Sequence, residues 1–297
     1  MKQSKLGYSA PGEETLAKLH DFYGEQLLKL IDNSQLRMNR MELAHYIDRG
    51  FLITLTGSKF FTGPPFSGAL IIPGNLHKKW HKVKTDLPRG LKDYFYKTLW
   101  PESWKMTQFL ANDVNYGISM RWYAALVEME RFFKIPAVLR KLGSEKFCNY
   151  VDKLIAQTPY LEHLGGAEES ENSSEADKDR TIFPFFIKKD GEVLTQAQAK
   201  ALYELLNVDL SPRLQGSAEK TFVGSQLCHI GQPVKVNYKT GKTTGVLRIS
   251  LGARVVSESW KSGDVGIYFQ KLKEQINQVN IIVRKIRIIL EHPEWLE

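Results

Sequence analysis

Between residues 13 and 59 the apolar residues fall into short blocks of alternating character, and this alternation constrains the fold more than any other feature of the chain. The stretch EETLAKLHDFY, Glu13 to Tyr23, repeats Leu16, Leu19 and Phe22 at helical spacing, and Gly24 makes a stop. The next block, EQLLKLID, is short, apolar and ends in an acid, as a buried strand does. MELAHYIDRG then reads as a helix closed by Gly50, and FLITLTGSK as a second strand. Helix, strand, helix, strand is the rhythm of a mainly parallel α/β sheet, in which ligands collect beyond the carboxyl ends of strands. Asp32 and Lys59 both stand at such an end.

The pattern is helical from Trp100 to about Tyr160, most clearly in ISMRWYAALVEMERFF. It then gives way to GGAEESENSSEADKDR, with six acids among the fourteen residues from Ala167 to Arg180 and no large apolar residue, the composition of a solvated linker. Beyond it TIFPFFI reads as a strand and LTQAQAKALYELLNV as a helix opened by Thr195. QPVKVNY and GVLRISLGARVV read as two strands flanking the turn KTGKTTG. A last helix carries Val265, Phe269, Leu272, Ile276, Val279, Val283, Ile286 and Leu290 three and four apart, a stripe that packs on those strands. The expected organisation is therefore an α/β region over 1–164, an acidic linker over 165–180 and a carboxyl-terminal α+β module over 181–297, without internal repeats.

The 297 residues suffice for one large domain or two of moderate size. No apolar run reaches the length of a membrane span, and MKQSKLGYSAPGEE lacks the apolar core of a signal peptide, so a cytosolic protein without a membrane partner is expected. Cys148 and Cys228 are too few for a disulfide framework and lack metal-ligand spacing, which points away from zinc and toward a reducing compartment. The net charge of +8 raises nucleic acid as a partner, but the basic residues are scattered along the chain and the expectation is against it.

In TLTGSKFFTGPPFSGALII, Lys59 follows a strand and precedes a run of glycines and prolines. The plainer reading is a surface lysine in a loop. The alternative is a lysine that forms an imine with an aldehyde, which needs small neighbours around the amine. Asp32 lies 27 residues earlier at the end of the preceding strand, with Gln35 three residues after it. A carboxylate so placed can hold a proton on a pyridine nitrogen and so keep the ring able to accept electrons. Thr56 and Ser58 flank Gly57 and offer hydroxyl donors to a phosphate.

Together, SKLGYSAPGEETLAKLHDFYGEQLLKLIDNSQLR and TGSKFFTGPPFSGAL resemble the pyridoxal-phosphate-dependent enzymes of fold type I, specifically the class V aminotransferase group that includes cysteine desulfurases. The resemblance implies the later part of a fold type I large domain, a mainly parallel sheet with helices, followed by an α+β small domain. It implies pyridoxal 5′-phosphate as cofactor and an amino acid as substrate. Lys59 would hold the cofactor as an imine, and once freed would take the Cα proton. Asp32 would pair with the pyridinium nitrogen, Gln35 would bond the phenolic oxygen, and Thr56 and Ser58 would bind the phosphate. The segment GVLRISLGARVV is similar to the family's Arg-Ile-Ser-Leu segment, which gives Arg248 the substrate carboxylate. Cys228, in SQLCHIGQPV, lies upstream of Arg248 as a desulfurase's persulfide cysteine does, without the usual flanking pattern.

Ser58 stands where the family usually has histidine, and Asp113 and Asn115 where relatives often have Gly-Thr for the partner subunit's phosphate. Only 31 residues precede Asp32, where the family has most of its large domain, so a truncated form is expected. It would act as a homodimer or beside a complementing amino-terminal polypeptide, and its alternative role is that of a non-catalytic remnant. Transamination and desulfuration or other lyase chemistry are not separated by these motifs.

Overall fold

The computed structural model describes residues 12–36, 38–83, 87–164, 181–260 and 263–297. It is a mixed α/β protein whose described residues divide into two compact units, 12–131 and 132–297. The acidic stretch 165–180 lies outside the described residues.

The first unit opens with helix α1 (Glu13–Tyr23), ended by Gly24 at positive φ. Strand β1 (Leu30–Asp32) leads to α2 (Arg40–Asp48), which begins in a capping box. The Asn39 side chain accepts from the amides of Met41 and Glu42, and the Glu42 carboxylate accepts from the Asn39 amide at 2.7 Å. Gly50, at φ +77°, donates to the Ile47 carbonyl while Phe51 donates to that of Tyr46. This paired closure needs a left-handed residue, so glycine occupies it. The chain then enters β2 (Leu52–Thr56), parallel to β1, with Asp32 opposite Thr54. Ile31, Phe51 and Ile53 form a buried cluster under Leu43, Tyr46 and Ile47 of α2.

Strand β3 (Gly68–Ile71) pairs antiparallel with β2, Thr56 opposite Gly68, so the sheet order is β1-β2-β3. The sheet is thus half parallel and half antiparallel, whereas the sequence rhythm predicts a mainly parallel one. Residues 57–67 form a loop without a helix, and a connection without a crossover element returns its strand alongside in the opposite direction. Helices α3 (Gly74–His81) and α4 (Tyr116–Phe133) follow, joined by three short 3₁₀ turns; the last of them, Lys105–Thr107, lies where the sequence suggests helix from Trp100 onward, and that helix begins only at Tyr116.

In the second unit, α5 (Ala137–Gln157) and strand β4 (Leu161–His163) precede β5 (Ile182–Lys189), whose first six residues are all buried. The two-residue β6 (Glu192–Val193) pairs back on β5. Next comes α6 (Gln196–Leu206), opened as expected by Thr195, here in a capping box with Gln198. After α7 (Ala218–Ser225), strands β7 (Gly231–Asn237) and β8 (Thr243–Ser250) complete an antiparallel sheet of order β4-β5-β8-β7. GVLRISLGARVV is not one strand: pairing stops at Ser250, and α8 (Ala253–Ser257) starts after Gly252. The closing helix α9 (Val265–Leu290) buries Leu272, Ile276, Val279, Val283 and Ile286 from the expected stripe. At its amino-terminal end Tyr268 is buried and Val265 exposed. Among the described residues no helix is long and apolar enough to cross a membrane.

The stripe of α9 also buries Lys285. Its ammonium donates to the carbonyls of Leu206 (3.2 Å), Val208 (2.7 Å) and Gln226 (2.5 Å), tying the end of α6 to the end of α7. Burial pushes the lysine's pKa below its ordinary value.

Candidate functional site

Five of the seven residues singled out in the sequence lie at one end of the first unit's sheet. β1 and β2 run in the same direction in register, so Asp32 and the segment after Thr56 emerge at the same edge. The chain turns immediately after Asp32, with the Ser34 amide (3.0 Å) and the Ser34 hydroxyl donating to Asp32 Oδ1. The Asn33 amide donates to the Thr54 carbonyl, and Leu36 closes the turn at φ +50°. Burial alone would raise the Asp32 pKa, but the two Ser34 bonds, the Lys59 charge and the Thr54 hydroxyl outweigh it and hold the carboxyl below its usual range. Lys59 follows the neighbouring strand, three residues beyond Thr56. Asp32 and Lys59 are exposed, and Gln35 is half-buried.

The loop that carries Lys59 is held firmly. Thr56 Oγ1 lies 2.9 Å from Ser58 Oγ and accepts from the Ser58 amide at 3.2 Å, so the two expected phosphate ligands are neighbours. Gly57 donates to Ser67, Gly63 to Gly57 and Thr62 to Lys59, which closes the loop on itself. Thr62 and Phe66 sit at φ +53° and +65°, a conformation that costs about 1 kcal/mol or more for a residue with a side chain. Beneath the loop, the buried methyl of Ala125 on α4 occupies a socket made by two glycines. A Cβ on Gly57 would stand 2.3 Å from it, and one on Gly63 2.8 Å. The Trp122 indole on the same helix donates to the Gly68 carbonyl at 3.3 Å and so fixes β3 as well.

Ser34, Thr54 and Ala125 did not stand out in the sequence. The first is legible in hindsight, because Asp-Asn-Ser after a strand is a side-chain-capped turn. The other two depend on partners 22 and 68 positions away, Thr54 from Asp32 and Ala125 from Gly57.

Arg248 and Cys228 belong to the second unit. Arg248 lies on β8 opposite Pro184 and Gly231. Its guanidinium donates to the Gln232 carbonyl at 3.0 Å and lies so close over Gly231 that a Cβ there would meet Nε at 2.8 Å. Burial lowers its pKa from the ordinary value. Cys228 is 5% exposed, and its amide donates to the Leu206 carbonyl at 2.8 Å. Burial pushes the thiol up against the opposing influence of Lys285, which keeps it protonated and is the setting of a packing residue rather than of a nucleophile.

The first unit can thus present a carboxylate, a primary amine and a pair of hydroxyls along one sheet end; Arg248 lies in the second unit. Comparison of the chain with known protein families, with curated proteins and with solved structures finds no match in any of the three.

Proposed function

We propose that the chain is a pyridoxal-phosphate-dependent enzyme of the class V aminotransferase-like group, acting on an amino acid, with the cofactor attached at Lys59. The observation that carries this reading is that Asp32 and the segment bearing Lys59 leave the same end of two adjacent parallel strands. The donor set fits the cofactor: a carboxylate for the basic ring nitrogen, two neighbouring hydroxyls for the phosphate, an amine for the aldehyde and Gln35 for the phenolic oxygen. Bound pyridoxal phosphate supplies a cationic ring into which the electrons freed at the substrate Cα can spread.

Asp32, kept ionised by the two Ser34 bonds, would hold the proton on the ring nitrogen. Lys59 Nζ takes the proton from the substrate Cα. The resemblance assigns Arg248 to the substrate carboxylate, which a guanidinium can grip through two parallel bonds. A homodimer is the assembly that accompanies this reading.

The test is to titrate the full chain with pyridoxal phosphate, follow absorbance in the visible, reduce with borohydride and map the modified peptide. The expected result is a band lost in Lys59→Ala and a modification on Lys59. Asp32→Asn should keep the band and lose turnover, because an amide cannot hold the ring proton. A modification on another lysine refutes the assignment.

A second reading, a non-catalytic remnant or a chain that works beside a complementing amino-terminal polypeptide, is favoured by one feature. Leu28, Leu30 and Leu70, in or beside the outer strands of the first sheet, are 56%, 49% and 46% exposed. It predicts no band for the isolated chain, and sedimentation as an associating species.

A further inference from the structure

We propose that the surface built by α3 and the turns after it binds single-stranded nucleic acid. The basic residues are scattered when the whole chain is read, yet residues 77–105 hold eight lysines and arginines against three acids, a net +5 of the chain's +8. The structure gathers the described residues of this segment around an aromatic centre. His77 stacks on Trp104 (centroids 6.1 Å apart, planes at 27°) and bonds the Ser103 hydroxyl at 3.1 Å through Nε2. Trp80 meets the same indole edge-on at 5.8 Å, and Trp100 and Phe95 continue the stack.

Because His77 and Trp80 take the inner side of α3, its lysines are turned out. Lys78, Lys79 and Lys82 are exposed, as are Arg89 and Lys92 on the next turn. Among the described residues none of the five is held in an ion pair. Tyr94, next in sequence to Phe95 of the aromatic centre, has 78% of its surface exposed.

Three lysines on one side of α3, followed by two more exposed cations on the next turn, suit a chain of phosphates better than one bound anion. An exposed ring offers a face on which a base stacks without regard to sequence. A duplex is disfavoured, since α3 turns out only lysines, which meet phosphates as point charges and bring no planar fork to a base edge. An anionic membrane is disfavoured because the apolar side of α3 is already spent on Trp104, leaving no apolar face to insert.

The experiment is fluorescence anisotropy of the full chain with a labelled single-stranded DNA of about 20 nucleotides at 50 and 200 mM salt. With five phosphate contacts, each contributing about 0.7 to the logarithmic salt slope, affinity should fall about a hundredfold between the two. Lys78→Glu combined with Lys79→Glu and Lys82→Glu should weaken binding at low salt at least tenfold and flatten the slope by about two. The three glutamine replacements should act in the same direction, with unchanged circular dichroism. Tyr94→Ala should weaken binding while leaving the slope in place. No binding at 50 mM, an unaffected triple variant, a preference for the duplex of the same sequence, or a preference for phosphatidylserine vesicles would each overturn the proposal.

Discussion

Replacing Gly57 by alanine puts a Cβ 2.3 Å from the methyl of Ala125, where ordinary contact begins at 3.4 Å, so something must move by at least 1.1 Å. Ala125 is wholly buried on an 18-residue helix and cannot retreat alone; the loop carrying Ser58 and Lys59 has to yield. Overpacking of this kind costs about 1–3 kcal/mol, roughly 3–12 °C in the unfolding temperature of a unit this size. The other neighbours of the new methyl, Ser67 Oγ at 3.3 Å and Met129 Cε at 3.5 Å, demand far less adjustment. Ala125→Gly should therefore relieve the clash, although by itself it costs about 1 kcal/mol of helix propensity. A thermal double-mutant cycle should show a favourable coupling of about 1–3 kcal/mol. Attachment of pyridoxal phosphate at Lys59 should fall about a hundredfold in Gly57→Ala, the penalty of a reacting group displaced by about 1 Å, and recover in the pair. Additive losses, or a Gly57→Ala protein that melts with the parent, would refute the idea that Ala125 positions the lysine loop.

Two further predictions concern the second unit. Lys285→Met keeps the stem but leaves the Val208 carbonyl without its donor and the Gln226 carbonyl with only a thiol at 3.7 Å; a loss of about 2–4 kcal/mol in chemical denaturation is expected, and a more stable variant would contradict it. Glu162 accepts from Lys188 and from Tyr238 at 2.9 Å and forms an ion pair with Lys239 at 3.2 Å, and although burial opposes them these contacts hold its pKa below the usual carboxylate range. A depressed folded-state pKa stabilises above the unfolded value of about 4.3 and ceases to do so as pH falls through the folded one. Glu162→Gln should accordingly lose about 1–2 kcal/mol at pH 7 and converge on the parent in denaturant titrations as the pH falls through the depressed folded-state pKa, whereas a constant gap would show that the charge is irrelevant.

Periodicity made the helices from Glu13, Gln196 and Val265 readable, because a cap or glycine and a single apolar face agree there on one answer. It failed where a partner decides. GALI is apolar whichever way it runs, and only the helix-free loop before it turns β3 against β2. ARVVS has two β-branched valines yet is helical, since Gly252 ends the strand and Ala253 and Val256 gain burial as a turn of helix. Lys285 stands between Val283 and Ile286 of the stripe, and nothing local announces the three carbonyls that surround it. At the candidate site, the strand ends at Asp32 and Thr56 follow from the order of elements. The socket around Ala125 was illegible because its parts are far apart in sequence.

Strand β5 has a history as well as a place. Phe183 pairs with Ile249, 66 positions further along, so during synthesis IFPFFI leaves the ribosome before its central neighbour exists. At about 5–20 residues per second the wait is roughly 3–13 s, long compared with the microseconds in which apolar chains collapse. For that interval the most apolar strand of the protein has only the short β4, and then β6, for company, with one edge open to any other nascent strand. The same residues that make the finished unit durable thus make its manufacture the moment of greatest risk. Slowed translation between residues 190 and 243, or a lack of chaperones, should therefore lower its soluble yield more than a comparable loss of stability in the finished protein.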